Sequence, residues 1–178
     1  AFIDSDDLWE RNKLETISNT IVSNPVNNIF CHAEYHLHLD GSLKVVNYGS
    51  GYNYNKKLSI QLFSRNYFST SATVCSKTLI NEFGGFDESM MNAQDYDLWL
   101  KISPKATPLF IDDVLGVYRL RHGNITSGSI EKKTTNLLKI IFRYRVYVTK
   151  TEFFLKIIKM AASYLKQKLK RLTLIRVG

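Results

Sequence analysis

From Glu131 to Val177 the sequence contains no Gly and no Pro, the two residue types that most often interrupt a helix. Apolar residues recur there at helical spacing, which predicts helix throughout this region, in two pieces. The first 130 residues differ, because short apolar segments alternate there with turn-forming residues. The sequence therefore predicts a folded body over residues 1–130, followed by a basic helical extension over residues 131–178.

The charges are divided unequally between these two regions. Residues 1–130 carry 11 basic and 14 acidic residues, whereas residues 131–178 carry 13 basic and 2 acidic ones, for a net charge of +8. A strongly basic extension on a mildly acidic body indicates contact with an anionic surface, either lipid headgroups or nucleic acid. Nucleic acid is disfavoured, because no recognised nucleic-acid-binding module accompanies the basic residues.

The composition narrows the class of protein. With 178 residues, 44% hydrophobic and 22% charged, the chain has the makeup of one globular domain or part of a larger one, which excludes wholesale disorder. No uninterrupted apolar run is long enough to cross a bilayer. Cys31 and Cys75 are too few for a disulfide framework and match no paired zinc-ligand spacing, which favours a reducing, cytoplasmic setting.

Hydrophobic periodicity and turn residues predict an α/β body with a mixed sheet. Helices are expected at residues 10–22, 77–82 and 95–102. Strands are expected at residues 1–3, 26–39, 43–48, 67–75 and 107–118. The first helix should turn Leu14, Ile17 and Ile21 towards the core, and Asp40-Gly41 should form a tight turn.

An acidic cluster, Asp4, Asp6 and Asp7, directly follows the first apolar segment. Ligands of open α/β sheets bind at the carboxyl ends of the strands, where such side chains would lie. Neighbouring carboxylates can turn towards one hard cation, Mg²⁺ or Mn²⁺, that also contacts phosphate oxygens. The alternative is an acidic helix N-terminus, since Asp is favoured at caps.

Two further segments carry candidate functional residues. Asp95 and Asp97 stand near the predicted start of a helix, where a carboxylate facing a cleft could act as a general base. Helix capping is the alternative for both. His122 follows a predicted strand in a Gly-Asn turn and could ligate a metal or pair with a phosphate, unless it is a solvated turn residue.

Three segments in this order resemble the inverting family 2 glycosyltransferases of GT-A fold: FIDSDDLWERNKLE, GGFDESMMNAQDYDLWLKIS and VYRLRHGNITS. The first resembles the family's DxD segment, and the second its Gly-Gly-Phe-Asp-Glu and Glu-Asp-Tyr-Asp-Leu-Trp segments. The third resembles its late Tyr-Arg-x-His element, with one extra residue. The resemblance covers residues 1 to about 127, and the ordered combination is far more specific than any single motif. It implies a GT-A-like, Rossmann-related mixed sheet with flanking helices.

The resemblance implies a role for each matched carboxylate. Asp4 and Asp6 would be the DxD carboxylates, with Asp6 on a Mn²⁺ or Mg²⁺ ion that neutralises the nucleotide diphosphate and Asp4 near the ribose or the metal. Asp7 would support the cluster or face the sugar. Asp95 would be the catalytic base that takes the proton from the attacking acceptor hydroxyl, and the sugar would be transferred with inversion.

Two further matched positions belong to the donor side, and one position departs from the family's pattern. Arg119 and His122 would contact the bound nucleotide-sugar, and His122 would also approach the metal. The family usually has Glu before the base, whereas this chain has Gln94.

The resemblance also implies partners and a cellular setting. The donor would be a nucleotide-sugar, with a UDP-sugar favoured, and the acceptor a saccharide or lipid-linked saccharide in surface polysaccharide or glycolipid synthesis. The family's nucleotide-binding strands precede the DxD segment, so an N-terminal half is expected to be missing and this chain alone to be a poor enzyme. We expect a cytoplasmic location, against the inner face of the cell membrane.

Other interpretations stay open at this point. A haloacid-dehalogenase-like phosphatase also ends a strand in Asp-x-Asp, and a truncated, non-catalytic module could bind glycan or membrane. On a strand, His32, Glu34, His36 and His38 would share one face, which permits a zinc site, although an exposed hairpin face is favoured.

The extension resembles an interfacial helix in its pattern of residues. Phe154, Ile157, Ile158, Ala161 and Leu165 recur at helical spacing among Lys residues within residues 151–171. A basic amphipathic helix can lie in the headgroup layer of an anionic membrane, which a transferase with lipid-linked acceptors would use. The alternative is a helix that packs on the domain with its Lys side chains solvated.

Overall fold

The chain folds around a five-stranded mixed sheet with helices on its faces, as a computed structural model of residues 1–90, 92–121 and 130–177 describes it. The side chains of residues 130 and 170–177 are outside this description. The predicted α/β class with a mixed sheet is confirmed.

The secondary structure follows the expected alternation. The strands are β1 (Leu8–Trp9), β2 (Ile29–Leu37), β3 (Leu43–Val46), β4 (Thr73–Cys75) and β5 (Pro108–Arg119). The helices are α1 (Lys13–Ser23), α2 (Leu58–Ser64), α3 (Lys77–Glu82), α4 (Gln94–Ile102), α5 (Ile130–Arg143) and α6 (Lys150–Val177), with a 3-10 turn at Arg145–Tyr147.

Strand β2 is the centre of the sheet. It pairs in parallel with β5, and antiparallel with β4 along its first residues and with β3 along its last. β1 pairs antiparallel with β5, with Leu8 opposite Val117. The acidic cluster precedes β1 and therefore lies beside the carboxyl end of β5. The register between β2 and β5 shifts at His32 and Ala33, and β5 accommodates Asp112 and Asp113 there as extra residues.

Two apolar clusters cover the sheet. The larger one gathers the buried side chains of α2 and α4, including Trp99, together with Ile140 and Ile141 of α5. The smaller one contains Ile17 of α1 with Phe30, Ile111 and Leu115. Helix α5 therefore contributes fully buried side chains to the main core.

Several local predictions differ from the structure. Residues 1–3 form no strand, because the Phe2 amide makes one long bond to the Thr73 carbonyl (3.4 Å) and no ladder continues. Of the strand predicted at residues 67–75, only β4 (Thr73–Cys75) forms. In α1, Ile17 is buried as expected, but Leu14 is 58% exposed and Ile21 is 39% exposed, and the Lys13 side chain is buried in place of Leu14. Helix α2 was not predicted.

Helix α5 is tied to α4 by a buried carboxylate. Asp97 is fully buried, and its Oδ1 accepts a hydrogen bond from Nη1 of Arg143 at 2.8 Å. The same Arg143 nitrogen lies 3.0 Å from Oδ2 of Asp87, in the loop before α4. Lys101 Nζ lies 4.0 Å from the second Asp97 oxygen. Asp97 thus joins two helices, and this internal role replaces the capping or catalytic one considered from the sequence.

Helix α6 leaves a stripe of apolar side chains in solvent. Its 28 residues correspond to about 42 Å of helix. Phe153, Ile157 and Met160 pack against the main cluster, so Ile157 belongs to the packed side and not to the predicted exposed face. The opposite side carries the exposed stripe: Phe154 (60% exposed), Ile158 (63%), Leu165 (58%) and Leu169 (64%). Among the described residues, no helix combines the length and apolar character that crossing a membrane requires.

Replacing Arg143 with Ala should destabilise the fold by about 2 kcal/mol, since the buried Asp97 carboxylate would lose its closest charged partner. Chemical unfolding followed by circular dichroism measures the change. Arg145→Ala is the matched control, because Arg145 is exposed and donates to the Phe142 carbonyl of its own turn.

A double variant separates the ion pair from the lost packing of the Arg143 side chain. Adding Asp97→Asn to Arg143→Ala removes the unpaired charge and should restore part of the lost stability. Equal destabilisation in the single and double variants would contradict an electrostatic role for this pair.

Candidate functional site

The acidic cluster is a tight turn at the entry to β1. The Asp7 amide donates to the Asp4 carbonyl at 3.1 Å, which closes the turn. Asp4 is exposed and Asp6 is half-buried, whereas Asp7 is buried. The three Asp residues of this turn therefore differ in direction: Asp4 and Asp6 face outwards and Asp7 faces inwards.

Ser71 holds this turn from the segment before β4. Its buried hydroxyl accepts a hydrogen bond from the Asp4 amide at 3.0 Å and donates one to Oδ2 of Asp7 at 2.6 Å. The hydroxyl of one side chain thus satisfies a backbone donor and a carboxylate of the turn at once.

Asp7 is committed to internal hydrogen bonds. Its Oδ1 accepts from the Arg119 amide at 3.1 Å, and its Oδ2 accepts from Ser71. The Arg119 side chain also donates through Nε to the Asp6 carbonyl. Asp7 and Arg119 therefore join the turn to the end of β5, which favours the expectation that Asp7 supports the cluster over the one that it faces the sugar.

Lys13 completes the support from α1. Its ammonium donates to the Ser71 carbonyl at 2.5 Å and lies 4.1 Å from the centre of the Trp9 ring. Burial of the side chain lowers its pKa to about 8, against the opposing pull of Glu34 and Asp7. The sequence analysis did not identify Lys13 and Ser71, because the buried position of Lys13 depends on contacts with the distant Ser71 carbonyl and the Trp9 ring.

The turn and α4 form one electrostatic cluster. Desolvation raises the pKa of Asp4 above its ordinary value, and the charges of Asp7, Asp95 and Asp6 raise it further. Asp95 comes from the far end of the body in sequence, so the fold brings the two predicted motifs together. A cation at this cluster would relieve the repulsion among these carboxylates.

Asp95 occupies the first turn of α4 in an unusual backbone setting. Burial raises its pKa, while backbone amides and the Thr70 hydroxyl, which hydrogen-bond to it, oppose the rise. The preceding Ala93 has φ of 58°, a left-handed conformation that is costly for a residue with a Cβ. The N-cap position of α4 is occupied by Ala93, so Asp95 lies two residues after the cap, in the first turn of the helix.

Residues 70 and 71 contact both motifs, Thr70 at Asp95 and Ser71 at Asp4 and Asp7. The run Ser69-Thr70-Ser71 was the available sequence signal, since consecutive hydroxyls in an apolar segment indicate polar partners. The sequence analysis assigned this run only to the predicted strand at residues 67–75.

The other predicted ligand positions have different outcomes. His122 lies outside the described residues. His32 and Glu34 are fully buried, so the interpretation of this strand as an exposed hairpin face is wrong for both. Glu34 Oε2 accepts from the Tyr48 hydroxyl at 2.8 Å, and Tyr48 also contacts His36. Over residues 1–90, 92–121 and 130–177, no group of three or more His, Cys, Asp or Glu is arranged to hold a metal.

Comparison with known proteins gives one informative similarity. The chain is 28% identical over 148 residues to a protein of Rickettsia conorii named as an uncharacterized glycosyltransferase. The aligned region covers 79% of this chain and 22% of that protein, so the chain spans about a fifth of the relative's length. No family model matches the chain. The similarity supports a glycosyltransferase in general terms.

Ser71→Ala should lower the free energy of unfolding by about 2 kcal/mol, because the buried Asp7 carboxylate would lose a hydrogen-bond donor. Denaturant unfolding measures the loss. Ser5→Ala, a change of the same kind at an exposed position of the same turn, is the control and should be near neutral. Similar small losses in both variants would show that Ser71 does not organise the turn.

Proposed function

We propose that this chain is part of an inverting, metal-assisted glycosyltransferase of GT-A fold, which moves a sugar from a nucleotide-sugar to an acceptor hydroxyl. The observation that carries the proposal is that one segment hydrogen-bonds to both acidic motifs, through Ser71 at the turn of Asp4 and through Thr70 at Asp95. This segment links Asp4 with Asp95. These two residues come from separate motifs, and the reaction needs carboxylates on both the donor side and the acceptor side of one site.

On the donor side, Asp4 and Asp6 would hold Mn²⁺ or Mg²⁺. Two outward carboxylates fit a hard cation that takes its remaining ligands from phosphate oxygens and water. When bound, the cation would stabilise the charge that develops on the departing nucleoside diphosphate. Arg119 would keep the turn in place through the Asp6 carbonyl, and His122 is proposed to approach the diphosphate or the metal.

On the acceptor side, Asp95 would accept the proton of the attacking hydroxyl. A carboxylate whose pKa is raised by burial is a better proton acceptor than an ordinary Asp, provided that it stays ionised at the working pH. The hydrogen bonds from Thr70 and the helix backbone keep it oriented. Attack from the face opposite the leaving group then inverts the anomeric centre.

The substrates and the location are proposed on the same basis. The donor would be a nucleotide-sugar, with a UDP-sugar favoured, and the acceptor a saccharide or lipid-linked saccharide of surface polysaccharide or glycolipid synthesis. The exposed stripe on α6 supports contact with an anionic membrane, because Lys159 and Lys166 border it on one side and Lys168 on the other. The protein would then lie on the cytoplasmic face of the membrane.

The reaction is tested by release of nucleotide and transfer of sugar from UDP-, GDP- and dTDP-sugars with Mn²⁺, using the full-length parent protein. Asp95→Asn should lower kcat by a factor of about 10² to 10⁴ with little change in donor KM. Asp6→Asn should abolish the dependence on Mn²⁺ together with most of the activity. Asp113→Asn, at an exposed position of β5, is the control for loss of one carboxylate. Metal-independent transfer, or full activity of Asp95→Asn, would contradict the proposal.

Asp95→Asn should also change the stability of the protein. A catalytic carboxylate and a structural one predict opposite signs for this change. Since the folded state raises the pKa of Asp95, it disfavours the charged form, and this destabilisation is present above the raised pKa. Asp95→Asn should therefore stabilise the protein by about 1 kcal/mol at neutral pH.

The difference should shrink as the pH falls through the raised pKa, and it should vanish below the ordinary value of 3.8. Thermal unfolding at several pH values measures it. A loss of stability in Asp95→Asn at pH 7 would instead support a capping role.

A further inference from the structure

A groove runs between α2 and the two C-terminal helices, outside the proposed catalytic cluster. Two adjoining cavities of about 440 and 340 Å³ form it. They share Ser64, Lys156 and Lys159, so they are parts of one continuous depression. The first opens towards the loop that precedes α2, and the second lies between α5 and α6.

The charged side chains that line the groove are mainly basic. Lys56, Lys156 and Lys159 line the first cavity, and Lys133 joins the last two in the second. The acidic lining residue is Glu152, whose carboxylate already accepts the Thr149 amide at 2.8 Å and the Thr149 hydroxyl at 2.9 Å as the cap of α6.

The lysines are held close together at the centre of the groove. Lys156 donates to the Ser64 carbonyl at 2.9 Å, which fixes its ammonium at the junction of the two cavities. Burial and the charge of Lys159 lower the pKa of Lys156, so these two ammonium groups repel each other. An anion between them would remove that repulsion and accept hydrogen bonds from both.

The groove adjoins the exposed apolar stripe of α6. Leu155 lines the groove and is itself half exposed, and Phe154 and Ile158 of the stripe follow around the same helix. An anion alone would use only the groove, whereas a molecule with a phosphate and an apolar tail would cover both surfaces. The site therefore favours an amphiphile over a nucleotide or free phosphate.

We infer that the groove between α2, α5 and α6 binds the phosphate headgroup of an anionic phospholipid, whose acyl chains lie along the stripe of Phe154, Ile158, Leu165 and Leu169. The inference rests on the proposed membrane contact and is independent of the catalytic proposal. A specific headgroup site would fix how the protein sits on the membrane, which a diffuse basic surface does not.

The test uses dihexanoyl-phosphatidylglycerol below its micelle-forming concentration, with binding to the full chain measured by calorimetry. The groove variant is Lys133→Gln with Lys159→Gln, one change in each helix. The control is Lys139→Gln with Lys150→Gln, which removes the same charge from exposed positions of the same helices outside the groove. The groove variant should bind about tenfold more weakly or worse, the loss expected for charge-assisted hydrogen bonds. The control should change affinity by less than about twofold.

Two further ligands identify what the groove recognises. Dihexanoyl-phosphatidylcholine, which carries the same chains and no net charge, should bind more weakly than the glycerol lipid, and inorganic phosphate should also bind more weakly. Equal losses in the two lysine variants, equal binding of both lipids, or tighter binding of inorganic phosphate would each overturn the inference.

A last variant separates this site from membrane contact and from catalysis. Phe154→Ser with Ile158→Ser should lose binding to phosphatidylglycerol vesicles while it keeps the groove's preference for the anionic over the neutral short-chain lipid. Asp95→Asn should bind both lipids and vesicles normally. Wild-type binding to vesicles without any groove-dependent binding of the short-chain lipid would overturn the headgroup site and leave membrane contact in place.

Discussion

The buried hydroxyl of Ser71 connects the parts of this protein that would carry its chemistry. It satisfies the Asp4 amide and the Asp7 carboxylate, and the carbonyl of the same residue accepts from Lys13. The turn that carries Asp4 and Asp6 has little secondary structure of its own, since β1 is only two residues long. Its position therefore depends on side-chain hydrogen bonds from the residues before β4, and Thr70 extends the same segment to Asp95.

This arrangement concentrates negative charge where the fold alone would avoid it. Asp4 and Asp95 both have raised pKa values, so each charged carboxylate works against folding, and Ala93 adds a left-handed backbone beside them. The carboxylates that serve the fold have compensating partners: Asp7 accepts hydrogen bonds from two donors, and Asp97 is paired with Arg143. Each of the two motifs thus contains one carboxylate with internal partners that serve the fold, Asp7 or Asp97, and one that is proposed to meet a cation or an acceptor, Asp4 or Asp95.

The sequence predicted the elements whose signals are local. Helix α3 follows its predicted bounds because Ser76 caps it and the pair Gly84-Gly85 ends it with positive φ at both positions. The hairpin at Gly41 and the long parallel strand β5 were likewise readable from turn residues and apolar periodicity. The motif carboxylates Asp4 and Asp95 were identified by resemblance, and their catalytic and metal-binding roles stay predictions.

What could not be predicted depends on contacts between distant segments. Nothing local distinguishes the buried Lys13 from a surface lysine, because its place is set by the Ser71 carbonyl and the Trp9 ring. The face of α1 was misjudged for the same reason, since Lys13 took the buried place that periodicity gave to Leu14. In α6 the periodic pattern contained two faces, and only the docking of Phe153 and Ile157 on the core showed which apolar residues stay exposed.

The C-terminal helices are integral to the part of the fold that carries the proposed catalytic base. Ile140 and Ile141 of α5 complete the main core, and Arg143 holds α4, whose first turn carries Asp95. Phe142 of α5 also packs against Phe153 of α6, with ring centres 5.2 Å apart. The surface proposed to meet the membrane and the proposed catalytic base thus lie on helices that are joined through α5 by packed and paired side chains.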